Sequence, residues 1–378
     1  MLRKLIVAFV FVLPAAAFGQ AGLTLPPSGG NQKASVTQWI GPVEVTIAYS
    51  SPDVTGPNGE DRTGQIWGQL VPYGMASFGF GTCGDQCPWR AGANENTTFT
   101  VSHDVLVEGK PLAAGTYGLH MIPGETTWTL VFSNESTAWG SFFYDAADDA
   151  LRVEVTPKEH PFTHWLTYEF IDRQAEQATA ALEWENLQVP WTIEVPNATD
   201  LYIAALEREL EGSPGFLWSN WNAAAQYALG VGRNEQALEW AEAAVSRPFV
   251  SQESFQTLST LAQAQRANGQ VEESRATLER AVTHPTADPL QIHFLGRTLI
   301  TQGEEETALW VFEKNADLHP DEWPVHVGLM RGLSAVGRYQ EALVHAQKAL
   351  TQVPEGEEAN RRNLEAAVER LKAGEAVD

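Results

Sequence analysis

Leu290-Gln291-Ile292-His293-Phe294-Leu295-Gly296-Arg297-Thr298-Leu299-Ile300-Thr301-Gln302-Gly303, followed by Ala308, Phe312 and Pro320, is the stretch whose reading decides the fold of the C-terminal half. Apolar residues recur at helical spacing up to a turn glycine, and a second helical pattern with small residues at set places follows. Outward from this stretch, turn glycines stand at Gly232, Gly269, Gly303 and Gly337, at spacings of 37, 34 and 34 residues. Such a period belongs to an array of helical hairpins, each of which hides its apolar faces only against its neighbours.

Aligned on those glycines, the first unit carries Trp221, Ala237 and Ala244, and the third carries Leu295, Gly296, Ala308, Phe312 and Pro320. The fourth carries Leu329, Leu333, Tyr339, Ala342, Ala349 and Pro354. Over about residues 215–355 these positions resemble the tetratricopeptide repeat. The second unit, with Leu258, Ala262, Leu278 and Ala281, departs by placing Ser274 where alanine is usual and by a longer preceding linker. Small side chains at Gly296, Ala308 and Ala342 let antiparallel helices approach, while Phe312 and the leucines fill the seam. Residues 201–210 are expected to cover the first unit, and the amphipathic run 360–372 to cap the last. In proteins of this resemblance the first helix of each hairpin lines a groove. The positions expected there are Asn222, Gln226, Gln263, Arg266, His293, Arg297 and Arg331. Arginine forks suit carboxylates, so the expected partner is a protein or peptide, acidic or with a free C-terminus; the alternative is that these arginines pair with the domain's own glutamates.

Upstream the period changes to two. Val43, Val45, Ile47 and Tyr49 alternate with Glu44, Thr46 and Ala48, and similar alternation marks 117–121 and 128–132. Further strands are expected at residues 65–70, 97–101, 151–155, 165–171, 180–184 and 189–195, with turns at Glu108-Gly109 and Pro123-Gly124. Eight to ten short strands point to an all-β antiparallel sandwich over residues 36–196, a barrel being the alternative. The whole is thus a multidomain chain, a β-sandwich followed over residues 198–378 by an all-α helical-hairpin solenoid with a terminal capping helix.

Three runs, residues 64–74 (Gly64-Gln65-Ile66-Trp67-Gly68 to Gly74), 89–95 (Trp89-Arg90-Ala91-Gly92-Ala93-Asn94-Glu95) and 112–119 leading to Ile122-Pro123, resemble the bacterial domain of unknown function numbered 2911. The resemblance implies an exported protein, often with appended repeats, and no established activity. The chain departs from that family by an insertion at residues 75–88, which holds both cysteines. Trp89, Arg90, Asn94, Glu95, His103 and His120 are the residues of this domain with binding or acid–base potential. No Gly-x-Ser-x-Gly elbow or phosphate-cradling loop accompanies them, and no catalytic residue, metal or cofactor is assigned. Trp67, Trp89, Trp128, Trp139 and Trp165 keep carbohydrate stacking open, although most are expected in the core.

Arg3 and Lys4, an apolar run over residues 5–13 and the small residues 15–17 with Gly19 describe a signal peptide over residues 1–19, followed by a flexible linker over 20–35. No later segment is long and apolar enough to span a membrane. Lys and Arg number 24 against 48 Asp and Glu, a formal charge of −24. Such a surface disfavours nucleic acid and anionic membranes. In an oxidising compartment Cys83 and Cys87, four apart on a glycine-containing loop, are expected to form a disulfide. A redox motif would prefer two intervening residues, and a zinc site would need two further ligands. The resulting expectation is a periplasmic or secreted protein-binding or scaffold protein. The alternative is a hydrolase or carbohydrate-binding β-domain with the repeats as a docking tail.

Overall fold

A computed structural model describes residues 30–320 and 322–377. The expected signal peptide, and the linker as far as residue 29, lie outside the described residues. The chain divides into two compact units, with the division between Ala198 and Thr199.

The first unit holds two sheets in which every pairing is antiparallel. Its strands are β1 (Gln32–Ile40), β2 (Val43–Ser51), β3 (Thr97–Val101), β4 (Val105–Val107), β5 (Lys110–Leu112), β6 (Gly115–Ile122), β7 (Trp128–Ser133), β8 (Asp149–Val155), β9 (Lys158–Ile171) and β10 (Gln177–Glu194). One sheet runs β1-β2-β3-β6-β7-β8 and the other β5-β4-β10-β9. Alternation is clean on β2, where Val43, Val45 and Ile47 are buried and Glu44 faces solvent. The core is aromatic: Trp128, Trp184 and Trp191 are each 1% exposed, with Phe99, Phe132 and Tyr168 beside them.

Three expectations are corrected. Residues 65–70 form a turn, not a strand: Gly64 and Gly68 adopt φ of 70° and 76°, and the Leu70 and Val71 amides bond back to the Gln65 and Ile66 carbonyls. At Gly68 a Cβ would also meet the Tyr73 ring at 2.8 Å. Second, the segments expected at 180–184 and 189–195 are one strand, β10, bent by register shifts around Glu185, whose φ is 53°. Third, β1 begins at Gln32, so residues 32–35, expected within the linker, pair with β2.

The second unit consists of α1 (Ala198–Glu211), four hairpins and a last helix. The hairpins are α2 (Trp218–Gly230) with α3 (Asn234–Ser246), α4 (Phe255–Ala267) with α5 (Val271–Val282), α6 (Pro289–Thr301) with α7 (Glu305–Leu318), and α8 (Trp323–Ala335) with α9 (Tyr339–Gln352). α10 (Glu358–Lys372) follows. Each hairpin turns on its glycine, at φ between 74° and 78°. Each turn closes by one repeated bond, from Arg233 to Ala228, Gln270 to Gln265, Glu304 to Leu299 and Arg338 to Leu333, at 2.8–2.9 Å. Asp288 caps α6 by accepting from the Leu290 and Gln291 amides.

Packing explains the serine of the second repeat. Ser274 is buried and donates its hydroxyl to the Ala262 carbonyl at 2.7 Å, so a serine serves where alanine is usual. α4 faces two ways: Leu261 and Ala264 join Trp221 and Trp240 in the core of the first hairpin, while Leu258 and Ala262 join the core that runs on to α10. Within that second core the Phe312 ring sits among Gly296 of α6 and Gly328 and Gly332 of α8. A Cβ at those positions would meet the ring at 2.5, 2.5 and 2.7 Å. α10 closes the stack with Leu364, Val368 and Leu371 inward and Arg362, Glu365 and Glu369 outward.

Truncation of Phe312→Ala is expected to cost about 3–5 kcal/mol of repeat-domain stability through the cavity it leaves. Gly296→Ala is expected to cost about 1–3 kcal/mol by overpacking. The pair Gly296→Ala with Phe312→Leu is expected to cost less than the sum of its parts, because the smaller side chain relieves the clash. Urea unfolding followed by far-ultraviolet circular dichroism measures these variants together with Phe312→Leu alone, and strict additivity would contradict the seat.

Candidate functional site

In the β-domain the expected site residues separate. Trp89 is 8% exposed and packs in a cluster with Trp67, Trp128 and Trp184 at centroid distances of 5.8, 6.2 and 6.4 Å, so it serves the core rather than a surface patch. Arg90 donates to the Asn94 carbonyl at 2.9 Å and lies 4.8 Å from the Phe142 ring centroid. Asn94, at φ 58°, accepts from the Asn31 side chain at 3.0 Å. This loop carries a second left-handed residue, Ala91, whose carbonyl accepts from the Thr97 and Tyr168 hydroxyls. Glu95 turns to Lys33 at 3.0 Å and accepts from Ser50; its own backbone amide and then Lys33 hold its carboxyl below the usual range. His103 bonds Ser102, whose hydroxyl accepts from the Glu44 amide at the start of β2.

His120 is 2% exposed, its Nδ1 2.8 Å from the Ser141 hydroxyl and its ring edge-on to Tyr144 at 5.4 Å. Burial, then the Arg90 charge, pushes its pKa down to about 4. Arg90 and His120 therefore share a neighbourhood, while Glu95 answers to Lys33. Ser141 went unnoticed in the sequence because it lies in the loop after β7 and reaches His120 only in the fold.

Cys83 and Cys87 are joined in a disulfide. It closes the insertion over residues 75–88, whose Thr82 amide donates to the Phe142 carbonyl at 2.8 Å. Phe78, Phe80 and Phe143 are exposed there, with Phe142 between them.

In the repeat unit the expected groove residues fall into two groups. Gln226 donates to the Thr260 hydroxyl at 3.2 Å, Gln263 accepts from Gln302 at 3.5 Å, and Asn222 is buried. Arg266 is held fork to fork by Glu304 at 2.8 and 2.5 Å, so its charge is answered within the domain. Glu304, 38 residues away across a seam, gave no local signal. Gln226, Gln263 and Arg266 line a cavity of about 1060 Å³ floored by Leu278, Leu299 and Leu309 with Trp310 at its wall.

His293, Arg297 and Arg331 are not part of that cavity. They share the face made by α6 and α8, where the charges of Arg331 and Arg297 both act on the His293 ring. Arg297 is exposed, 6.0 Å from the Phe294 ring, and no ion pair among the described residues includes it. Leu290 and Phe294, which the sequence reading passed over, are 50% and 51% exposed. Their signal was available: two large apolar side chains one turn apart, on the same helix as His293 and Arg297. Among the described residues no group of three or more His, Cys, Asp or Glu side chains is arranged to hold a metal.

Residues 31–193 match the family model described as "Protein of unknown function (DUF2911)", so the β-domain carries the family pattern that its motifs suggested. Among solved structures, the crystal structure of MamA is 19% identical, with 42% of this chain and 89% of that one covered and a TM-score of 0.29. A thermophilic TPR protein of Thermus thermophilus, TTC0263, is 21% identical, with 46% and 91% covered and a TM-score of 0.30. No curated protein matches the chain.

Burial, first, and neighbouring arginines, second, lower the pKa of both His120 and His293 to about 4. Their contribution to stability is therefore complete above the ordinary imidazole value of 6.5 and is lost as pH falls from there towards 4. Each residue contributes about 3 kcal/mol at most. Denaturation midpoints measured from pH 7 to pH 4 are expected to fall, with a smaller fall in His293→Phe; a midpoint flat across that range would contradict the assignment.

Proposed function

We propose that the chain is an exported protein-binding scaffold whose repeat domain captures a polypeptide segment on the face formed by α6 and α8, through a carboxylate and a neighbouring apolar side chain. The observation that carries this reading is Arg297: an exposed guanidinium without an ion-pair partner among the described residues, beside exposed Leu290 and Phe294 and near Arg331. An acidic side chain or a free C-terminus fits Arg297, and an adjacent apolar residue fits Leu290 and Phe294. Arg266 is set aside, because Glu304 already occupies its fork. Export is supported by the Cys83–Cys87 disulfide and by the basic, apolar and small-residue order of residues 1–19. No helix among the described residues is long and apolar enough to cross a membrane.

Carbohydrate binding by the β-domain is a second reading, supported by the exposed rings of Trp139, Phe80 and Phe143. A hydrolase has less in its favour, since His120 and Ser141 are sealed and Glu95 faces Lys33.

The test titrates the full chain with a synthetic acidic peptide bearing a free C-terminal leucine, at low and high salt. Arg297→Ala with Arg331→Ala is expected to weaken binding at least about tenfold, as loss of charge-assisted bonds implies. Arg266→Ala is expected to leave it nearly unchanged, and salt to weaken it. Binding indifferent to the Arg297 and Arg331 changes would refute the reading.

A further inference from the structure

The insertion at residues 75–88 holds apolar rings in solvent. Phe78, Phe80 and Phe143 are 37%, 66% and 47% exposed. They meet around the Phe142 ring, with centroids 6.0 Å apart for Phe78 and Phe142, 5.4 Å for Phe80 and Phe142, and 6.1 Å for Phe80 and Phe143. The backbone beneath them is bonded. Ala76 and Cys87 exchange two backbone bonds at 3.0 and 3.2 Å, and the Thr82 and Cys83 amides both donate to the Phe142 carbonyl at 2.8 and 3.3 Å. The Gln86 amide donates to the Cys83 carbonyl inside the disulfide ring, and the Gly79 amide to the Ser77 hydroxyl. At Gly81, whose φ is 95°, a Cβ would meet the Phe142 carbonyl oxygen at 2.0 Å, so the insertion lies directly on the loop after β7. Exposed rings set on a bonded frame are the arrangement of a binding surface.

Composition selects the partner. Among residues 75–88 the only charge is Asp85, and residues 136–144 carry none, in a chain whose formal charge is −24. A protein interface sets its register with a polar and charged rim, which two nearly charge-free segments supply poorly. Sugars stack on a flat ring face, whereas these rings stand at 84°, 75° and 76° to one another and form no single platform. An apolar medium asks for neither. We infer that the insertion is a surface anchor: Phe78, Phe80 and Phe143 enter the boundary between headgroups and acyl chains of an uncharged or zwitterionic lipid surface. Backbone groups carried to that depth must keep their hydrogen bonds, and the bonds within the insertion and to Phe142 meet that need. The acidic remainder of the chain repels anionic headgroups, so neutral lipid is the expected surface. The inference belongs to the β-domain alone and does not rest on the reading of the α6–α8 face.

Co-sedimentation of the full chain with sucrose-loaded phosphatidylcholine vesicles tests the anchor. The bound fraction is expected to rise with lipid, and the triple change Phe78→Ser, Phe80→Ser and Phe143→Ser to weaken partition at least about tenfold. Phe80→Ser alone, at the most exposed of the three, is expected to weaken it about threefold with an unchanged circular dichroism spectrum. Phe216→Ser with Phe249→Ser, changes at exposed rings of the repeat unit, is expected to leave binding as it was, which separates the anchor from general stickiness. Phosphatidylglycerol added to the vesicles is expected to weaken binding. No binding to neutral vesicles, binding indifferent to the triple change, or binding that grows with anionic lipid overturns the inference. Retardation by a neutral β-glucan in native gels, lost in the triple variant and without vesicle binding, assigns the rings to sugar and overturns it equally.

Discussion

Phe312 seated against Gly296, Gly328 and Gly332 is the constraint on which the packing of α6, α7 and α8 depends. Helices α6, α7 and α8 meet around that ring, and the absence of three Cβ atoms lets the backbones come close enough to bury it fully. The same seat decides what the outer side of the seam displays. With α6 turned so that Gly296 and Leu295 face inward, the next residue, Arg297, is left outward, and Phe294 and Leu290 follow it into solvent. The buried imidazole of His293 lies at the edge of the seat, between the ring and Gly328. A packing requirement thus fixes the geometry of a charged and apolar surface.

The repeat architecture was legible because its determinants are local. A glycine that must adopt positive φ at each hairpin turn, and small residues at fixed offsets from it, write the period directly into the chain. The seat was half legible: Gly296 and Phe312 stand out within one repeat, but Gly328 and Gly332 acquire meaning only when the next hairpin is laid against them. Arg266 shows the same limit. Its exposed position was readable, whereas its neutralisation by Glu304 depends on a contact between separate hairpins.

In the β-domain, alternation placed most strands, and the errors have specific causes. Glycine-rich residues 64–70 mimic alternation while folding as a turn, and the bulge at Glu185 hides the continuity of β10. His120 was ambiguous because one strand shows only which face a residue takes, not what covers that face. Here Ser141 and Tyr144 cover it, on a loop bonded through the Phe142 carbonyl to the insertion that holds the disulfide. The two units therefore differ in kind. The β-domain spends its polar residues on tying loops to strands, as Arg90, Asn94 and Glu95 do. The repeat unit leaves Arg297 exposed beside apolar side chains, which is the arrangement expected where a partner supplies the missing charge.

The most direct measurement of this account is the distance distribution between spin labels at Thr301 on α6 and Ala335 on α8, read by pulsed electron resonance. A single narrow population is predicted for the otherwise native chain, broadened when Phe312 is changed to Ala. A distribution already broad in the native chain, or one unmoved by loss of the ring, would contradict the claim that the Phe312 seat fixes the placement of α6 against α8.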